Sequence, residues 1–517
     1  MQLQRKNFLV TSKQSISTQS DLERKPLRLE IFKSVSKMFF SKLIQISFQI
    51  IKALVIPKLV TPAAYGLWRS LTLVNQFSPY AQLGTYQTMT KEMPYLEGRG
   101  EWDKRVIIRN NTFYYNLSVS AFLGLGLLLC SIFTYGKYAE FYAHGLKLFA
   151  LLVLLISLNQ FYNEYLRIEK NFTLLGIVSA LQPAINVILS IGLIIYTENV
   201  LSLAYAMIIS NGLIFVIVLS KCGWPQYEGV RWAEIIRQIK VGFPLMLIPV
   251  MFVLVKGVDQ VMILIFLNPE DLGYYSLALS IQGFIYMIPA VLGSVLVPYL
   301  FEHIGRTGSP QKSSHIFTVP TKIIAFVSAF SVILTNIVIH IPIRYYLPKY
   351  IPGLHPLYTL LLGTYGLALI VVAGNFLVIN GKQAIILKLL AFAFFFSVMS
   401  NYAAIKGGYG ISGVAWATFL TYFFYSCALL YAAYSLFMEG VWTILKEIGG
   451  LYSPFLYLGF VLLGINTFFP NNAYSFLSDV KNTSLQGGIL LLFSLPLIWR
   501  LDKEIGIWNM VRNIVVR

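Results

Sequence analysis

The chain has 517 residues, of which 57% are hydrophobic and only 12% charged, with a formal net charge of +18 and a mean hydropathy of +0.68. A soluble protein carries about a quarter charged residues, so this balance excludes a sizeable soluble domain and points to an all-α polytopic membrane protein. The basic excess would suggest nucleic acid in a soluble chain; here no nucleic-acid partner is expected, because the charges gather between apolar segments.

The first 37 residues are polar and basic, with Arg5, Lys6, Arg24, Lys25 and Arg28 among them. No short apolar core with a cleavage site follows, so residues 1–37 read as a cytoplasmic tail beside anionic lipid rather than a signal peptide. Apolar runs of spanning length then fall at about 38–60, 66–89, 112–135, 146–166, 172–196 and 199–220. After a polar stretch they resume at about 241–267, 273–301, 318–341, 353–378, 384–405, 410–436, 450–469 and 485–500. Each of these fourteen segments suits a hydrocarbon core of roughly 30 Å.

The basic residues orient the segments. With the N-terminus inside, 29 of the 40 Lys and Arg fall in inner tails and loops, and seven in outer loops. The remaining four are intramembrane. This asymmetry predicts two cytoplasmic termini in a plasma (inner) membrane. The short outer loops leave no room for an outer catalytic domain.

A repeat relates the halves. Thr61-Pro-Ala-Ala-Tyr-Gly-Leu-Trp68 follows the first segment and Asn268-Pro-Glu-Asp-Leu-Gly-Tyr-Tyr275 the seventh, 207 residues later. Lys170 and Lys382 lead into segments five and eleven, and Ser202-Leu-Ala-Tyr-Ala206 matches Gly413-Val-Ala-Trp-Ala417. Six segments per repeat predict parallel lobes: an N-lobe over 38–220, a linker with an interfacial helix over 221–240, and a C-lobe over 241–436. Residues 437–517 add two extra helices and an inner tail. In transporters built this way cargo binds between the halves.

Five charges lie inside spanning segments: Lys42, Lys52, Arg69, Lys256 and Asp259. Each costs roughly 2.5–3.5 kcal/mol near a bilayer centre unless it faces protein or water. Lys42 and Arg69 lie within about a turn of a segment end and can snorkel. Lys256, near the midplane, is the leading candidate for binding a phosphate. Lys52 and Asp259 are 207 residues apart, so they occupy equivalent places in the two lobes. A cavity lined by Lys256, Lys52, Asp259, Arg69 and Gln49 is expected, with Lys52 and Asp259 forming a breakable ion pair. Gln45, Asn75, Gln76 and Asn375 are candidate contacts for polar groups of a cargo. Glu164 and Arg167, with Glu169 and Lys170, form an ion-pair cluster at the inner end of segment four, a candidate gate.

The stretch Pro57-Lys-Leu-Val-Thr-Pro-Ala-Ala-Tyr-Gly-Leu-Trp68, then Gln82-Leu-Gly84, resembles the start of polysaccharide flippases of the multidrug/oligosaccharidyl-lipid/polysaccharide (MOP) exporter superfamily. Gly242-Phe-Pro244, Asp259-Gln260, Asp271-Leu-Gly-Tyr-Tyr-Ser276, Pro298, Asn380-Gly-Lys382 and Tyr409-Gly-Ile-Ser-Gly-Val-Ala-Trp-Ala-Thr418 continue the resemblance through the second half. It implies a MATE-like pair of six-helix lobes around a cavity open to one side at a time. It also implies an O-antigen-type cargo, an oligosaccharide on a polyprenyl pyrophosphate, with polymerase or glycosyltransferase neighbours. Such a transporter, expected as a monomer, needs no cofactor. The three scattered cysteines and five histidines show no metal-ligand spacing, and no Walker-type glycine loop occurs. The alternatives are a lipid II flippase, a cation-coupled drug exporter, or a membrane polysaccharide polymerase or ligase. Lysines in the first segment, where drug exporters often use an acid, weigh against the exporter.

Overall fold

The computed structural model describes residues 41–227, 229–307, 314–469 and 475–505. The basic N-terminal tail and the last residues of the inner tail lie outside them. Among the described residues the regular structure is helical throughout. In chain order the helices are α1 (41–59), α2 (Pro62–Phe77), α3 (Thr85–Gly98), α4 (Trp102–Ile132), α5 (Ala139–Ile168), α6 (Phe172–Thr197), α7 (Ser202–Cys222) and α8 (Trp232–Phe266). They continue with α9 (Pro269–Thr307), α10 (Ser314–Val338), α11 (His340–Tyr346), α12 (Leu354–Ile379), α13 (Gln383–Lys406), α14 (Gly410–Tyr434), α15 (Val441–Phe468) and α16 (Phe476–Ile505).

All fourteen expected segments contain helix. Among the described residues twelve stretches, starting at α4, are long and apolar enough to cross a membrane. The first expected segment, α1, begins at the edge of the described residues. The second is not one helix. α2 ends at Phe77, a 3-10 turn covers Ser78–Tyr80, and Leu83 (φ 51°) and Gly84 (φ 91°) are left-handed before α3 starts. Pro79 withdraws a backbone donor, and Gly84 takes a φ that costs a residue with a Cβ about 1–2 kcal/mol. The interfacial helix expected before segment seven is also different: those residues are the first turns of one continuous α8.

The chain divides into two compact units, residues 1–52 with 84–242, and residues 53–83 with 243–517. In the first unit α4 packs on α5, α5 on α7 and α6 on α7. Its core includes Tyr86, Met89, Phe113, Phe161 and Tyr162. Buried amides tie these helices across apolar surface: Asn159 donates to the Asn211 carbonyl at 2.9 Å, and Asn116 to Thr85 Oγ1 at 3.0 Å.

In the second unit α10 packs on α12, α12 on α14 and α13 on α14. This repeats the pattern of the first unit, helix for helix, as a duplicated six-helix plan requires. Two further helices, α15 and α16, pack on α10 and on each other. Asp479 of α16 is fully buried, accepting from Arg344 Nη1 at 3.0 Å and facing His340 Nε2 at 3.4 Å.

The two copies of the repeated turn meet within the second unit, where α2 packs on α9. Each opens in the same way. Thr61 Oγ1 accepts from the Ala64 N–H and Asn268 Oδ1 from the Asp271 N–H, each followed by proline as first helical residue. A Cβ on Gly66 would lie 1.6 Å from the Pro269 carbonyl oxygen, and one on Gly273 would lie 1.9 Å from that of Pro62. Each glycine therefore receives the first turn of the other helix, a reciprocal clasp that no side chain permits. The buried Tyr350 fills the neighbouring space, edge-on to Tyr65 and Tyr274 with centroids 6.2 and 6.1 Å away.

Candidate functional site

Of the charged residues expected inside the membrane, Arg69, Lys256 and Asp259 lie in the second unit. Lys256 sits ten residues before the end of α8, about 15 Å at 1.5 Å per residue, half the thickness of a hydrocarbon core. It is partly buried. Its ammonium lies 4.9 Å from the Tyr286 ring centroid of α9 and 5.6 Å from that of Phe252, one turn earlier on α8. Ring faces attract a cation without neutralising it. Among the described residues no carboxylate lies within 4.0 Å of this ammonium. Asp259, three residues on, directs its hydrogen bonds elsewhere, though its charge still acts on this ammonium.

Asp259 is 1% exposed. It accepts from Tyr275 Oη of α9 at 2.8 Å and from the Gln260 N–H at 2.7 Å, and Tyr275 Oη lies 3.3 Å from Thr418 Oγ1 of α14. This carboxylate thus fastens α8 to α9 and α14. Its repeat equivalent, Lys52, lies in the first unit, where its ammonium donates to Asn186 Oδ1 of α6. Asn186 Nδ2 in turn donates to Ser210 Oγ of α7 at 3.2 Å. Each of the two therefore has hydrogen bonds inside its own unit.

α2 passes over α8 beside Lys256. A Cβ on Gly257 would lie 3.0 Å from Gln76 Nε2 and 3.1 Å from Phe77 Cζ. Arg69, earlier on α2, directs Nη2 at Gln260 Oε1 over 3.4 Å, while its Nε is buried with no partner among the described residues. Both amide atoms of Asn75 are likewise buried and unpaired. A buried unpaired polar atom costs about 1–3 kcal/mol, so orphaned atoms of two residues on one helix mark a place that a polar ligand would complete. On the neighbouring α8 and α9 lie the Lys256 ammonium and the Phe252 and Tyr286 rings, and α2 ends two residues beyond Asn75. That arrangement can bind an anionic group beside hydroxyl-rich neighbours.

The remaining candidates separate from this group. Gln45 accepts from Lys42 at 2.9 Å near the start of α1, and Lys42 is exposed. Gln49 is partly buried on the same helix. Asn375 donates to the Val371 carbonyl of its own helix at 2.8 Å. Glu164 and Arg167 pair at 2.9 Å, Glu169 pairs with Arg105, and Lys170 ends the turn at a φ of 56°. No group of three or more His, Cys, Asp or Glu side chains among the described residues is placed to hold a metal. Sequence reasoning passed over Tyr286, Asn186 and the His340–Asp479–Arg344 cluster. Lone polar residues such as Asn186 in an apolar helix and Asp479 in the first turn of α16 were available signals; an aromatic over a lysine from another helix had none.

Comparison with known proteins agrees with the fold. Residues 101–339 match the family described as polysaccharide biosynthesis protein. Among solved structures, the lipid II flippase MurJ in an inward closed conformation aligns with 90% of this chain and 100% of its own, at a TM-score of 0.62 and 15% identity. An inward-facing multidrug resistance MATE family transporter of the MOP superfamily covers 80% of this chain and 95% of its own, at 0.61 and 14%. A Vibrio cholerae MATE transporter covers 78% and 95%, at 0.56 and 16%. No curated protein sequence matches. The chain therefore has the fold of the MOP exporters, and residues 101–339 match the polysaccharide biosynthesis family, as the resemblance read from its motifs implied.

Proposed function

We propose that the protein is a flippase that moves a polyprenyl-pyrophosphate-linked oligosaccharide from the inner to the outer leaflet by alternating access. The observation that carries this reading is Lys256: a mid-helix ammonium cradled by Tyr286 and Phe252, with no carboxylate within ion-pair distance among the described residues. An ammonium so placed neutralises a pyrophosphate while the lipid tail stays in the bilayer. Arg69 adds a second cation on α2, and the unpaired amide of Asn75, with Gln76, supplies donors and acceptors for sugar hydroxyls. Gln49 and Lys52 contribute from α1. The protein works as a monomer in the inner membrane with cytoplasmic termini, without a cofactor, beside enzymes that build and polymerise the glycan.

The ion pair between Lys52 and Asp259 would require Asp259 to leave Tyr275 and Lys52 to leave Asn186 during the cycle. Glu164 and Arg167 would gate the inner side. Charge reversal at both Lys52 and Asp259 restores transport lost in either single reversal if they pair; a double reversal as inactive as the singles ends that idea.

The test of function is reconstitution in vesicles with lipid-linked oligosaccharide. Lys256→Ala should lower the flipping rate at least tenfold, and Lys256→Arg should keep part of it. Equal flipping by the alanine variant would overturn the assignment of Lys256. Export of cationic drugs, movement of lipid II alone, or bond formation between glycans would instead identify a drug exporter, a lipid II flippase or a polymerase.

A further inference from the structure

The first unit holds a second charged recess, apart from the Lys256 region. Between α3, α4 and the start of α8 lies a cavity of about 830 Å3. Three carboxylates line it, and each is already engaged. Glu92 takes a bidentate bond from Arg237 at 2.7 and 3.0 Å, and Glu234 is bonded to the same guanidinium at 2.7 and 2.9 Å. Glu101 pairs with Lys104 at 2.6 Å and Arg99 at 3.0 Å; the Lys104 bond, with the charge of Arg99, holds this carboxyl below its ordinary pKa. Two further cations, Lys91 and Arg231, line the cavity and are exposed; among the described residues neither side chain has an ion-pair partner within 4.0 Å. The lining therefore carries two positive charges in excess.

Exposed aromatic side chains flank the cavity. Trp102 and Trp232 begin α4 and α8, both spanning helices, and are 54% and 65% exposed. Tyr95, on the cavity wall, is 63% exposed. Exposed Trp and Tyr at the ends of spanning helices mark the interface between hydrocarbon and water. Leu96, Ile107 and Ile108 add apolar side chains to the lining. A lining that mixes excess cations with apolar side chains fits an amphiphile with an anionic head, since the Arg231 guanidinium and the Lys91 ammonium bind phosphate oxygens by charge-assisted hydrogen bonds.

We propose that this cavity receives the phosphate headgroup of a membrane lipid, with Lys91 and Arg231 as its ligands. A pyrophosphate-linked carrier waiting in the leaflet and an ordinary anionic phospholipid share this chemistry. The site does not depend on Lys256. It is tested in the full-length Lys256→Ala protein, so that binding at the proposed transport site does not contribute. That protein, in zwitterionic nanodiscs, is titrated with polyprenyl pyrophosphate and separately with phosphatidylglycerol, and retained lipid is counted by native mass spectrometry. One lipid should be retained, and adding Lys91→Ala with Arg231→Ala should weaken its retention about tenfold or more, with an unchanged thermal midpoint. Whichever lipid is held more tightly identifies the source. Retention unaffected by the double substitution, or no retained lipid of either kind, would overturn the site. A Lys256→Ala protein that flips cargo at the wild-type rate would overturn the assignment of Lys256 and leave this site standing.

Discussion

α2 and α9 begin alike and then part. Both start with a polar cap, a proline and a glycine, and the two glycines clasp each other's first turns. Fifteen or so residues on, α2 gives way to a 3-10 turn and two left-handed residues, whereas α9 runs on to Thr307. Applying the offset of 207, Pro79 corresponds to Tyr286 and Gly84 to Val291. Proline alone does not account for the break, because α9 continues through Pro289. The left-handed Gly84 has no counterpart in α9. The difference teaches how a duplicated helix pair acquires a site: one copy breaks beside Asn75 and Gln76, while the other uses the same place for the aromatic ring that holds Lys256.

The comparison can be broken most severely at its shared start. Gly66→Leu and Gly273→Leu should each leave little monodisperse protein on size-exclusion chromatography, because a large side chain would occupy the partner's backbone. Equal damage supports the reciprocal clasp, and a benign Gly273→Leu would contradict it; Gly283→Leu, with nothing within 4 Å of an added Cβ, serves as the control. Next in size, Tyr275→Phe should cost about 1–3 kcal/mol in thermal or denaturant unfolding, since Asp259 loses a buried donor. Gly84→Ala should cost about 1–2 kcal/mol by the same measure, from its left-handed φ. Val291→Ala, the helical counterpart, should stay within a few tenths once its lost volume is allowed for. Smallest in stability, Asn75→Ala should leave unfolding unchanged or slightly raise it, since it removes unpaired amide atoms, yet slow flipping several-fold. A slower rate with a lower unfolding midpoint would mark Asn75 as a packing residue.

Much of this was legible in the chain. Apolar runs gave the order of helices because a bilayer leaves a backbone few other ways to satisfy its hydrogen bonds. The Pro-x-x-x-Gly repeat at 61–68 and 268–275 was visible as a pair of turns. Ser78-Pro79 and Leu83-Gly84 were visible too, but no charged residue interrupts the chain between Arg69 and Lys91, so 66–89 read as one span. Depth in the membrane singled out Lys256 as a costly charge. It said nothing of direction, and on one helix Lys256 turns to aromatic faces while Asp259, three residues on, turns to Tyr275.

Sequence by itself thus determined a helical membrane chain, its duplication and the residues whose burial demands a reason, because composition and periodicity report what each segment exchanges with lipid and water. The tertiary structure decided what those residues do. It set Gly66 against Pro269, Tyr286 over Lys256, Asn186 under Lys52 and Lys91 beside the cavity of α3 and α4. These are distances between helices far apart in the chain, and no local pattern encodes which face of one helix meets which face of another.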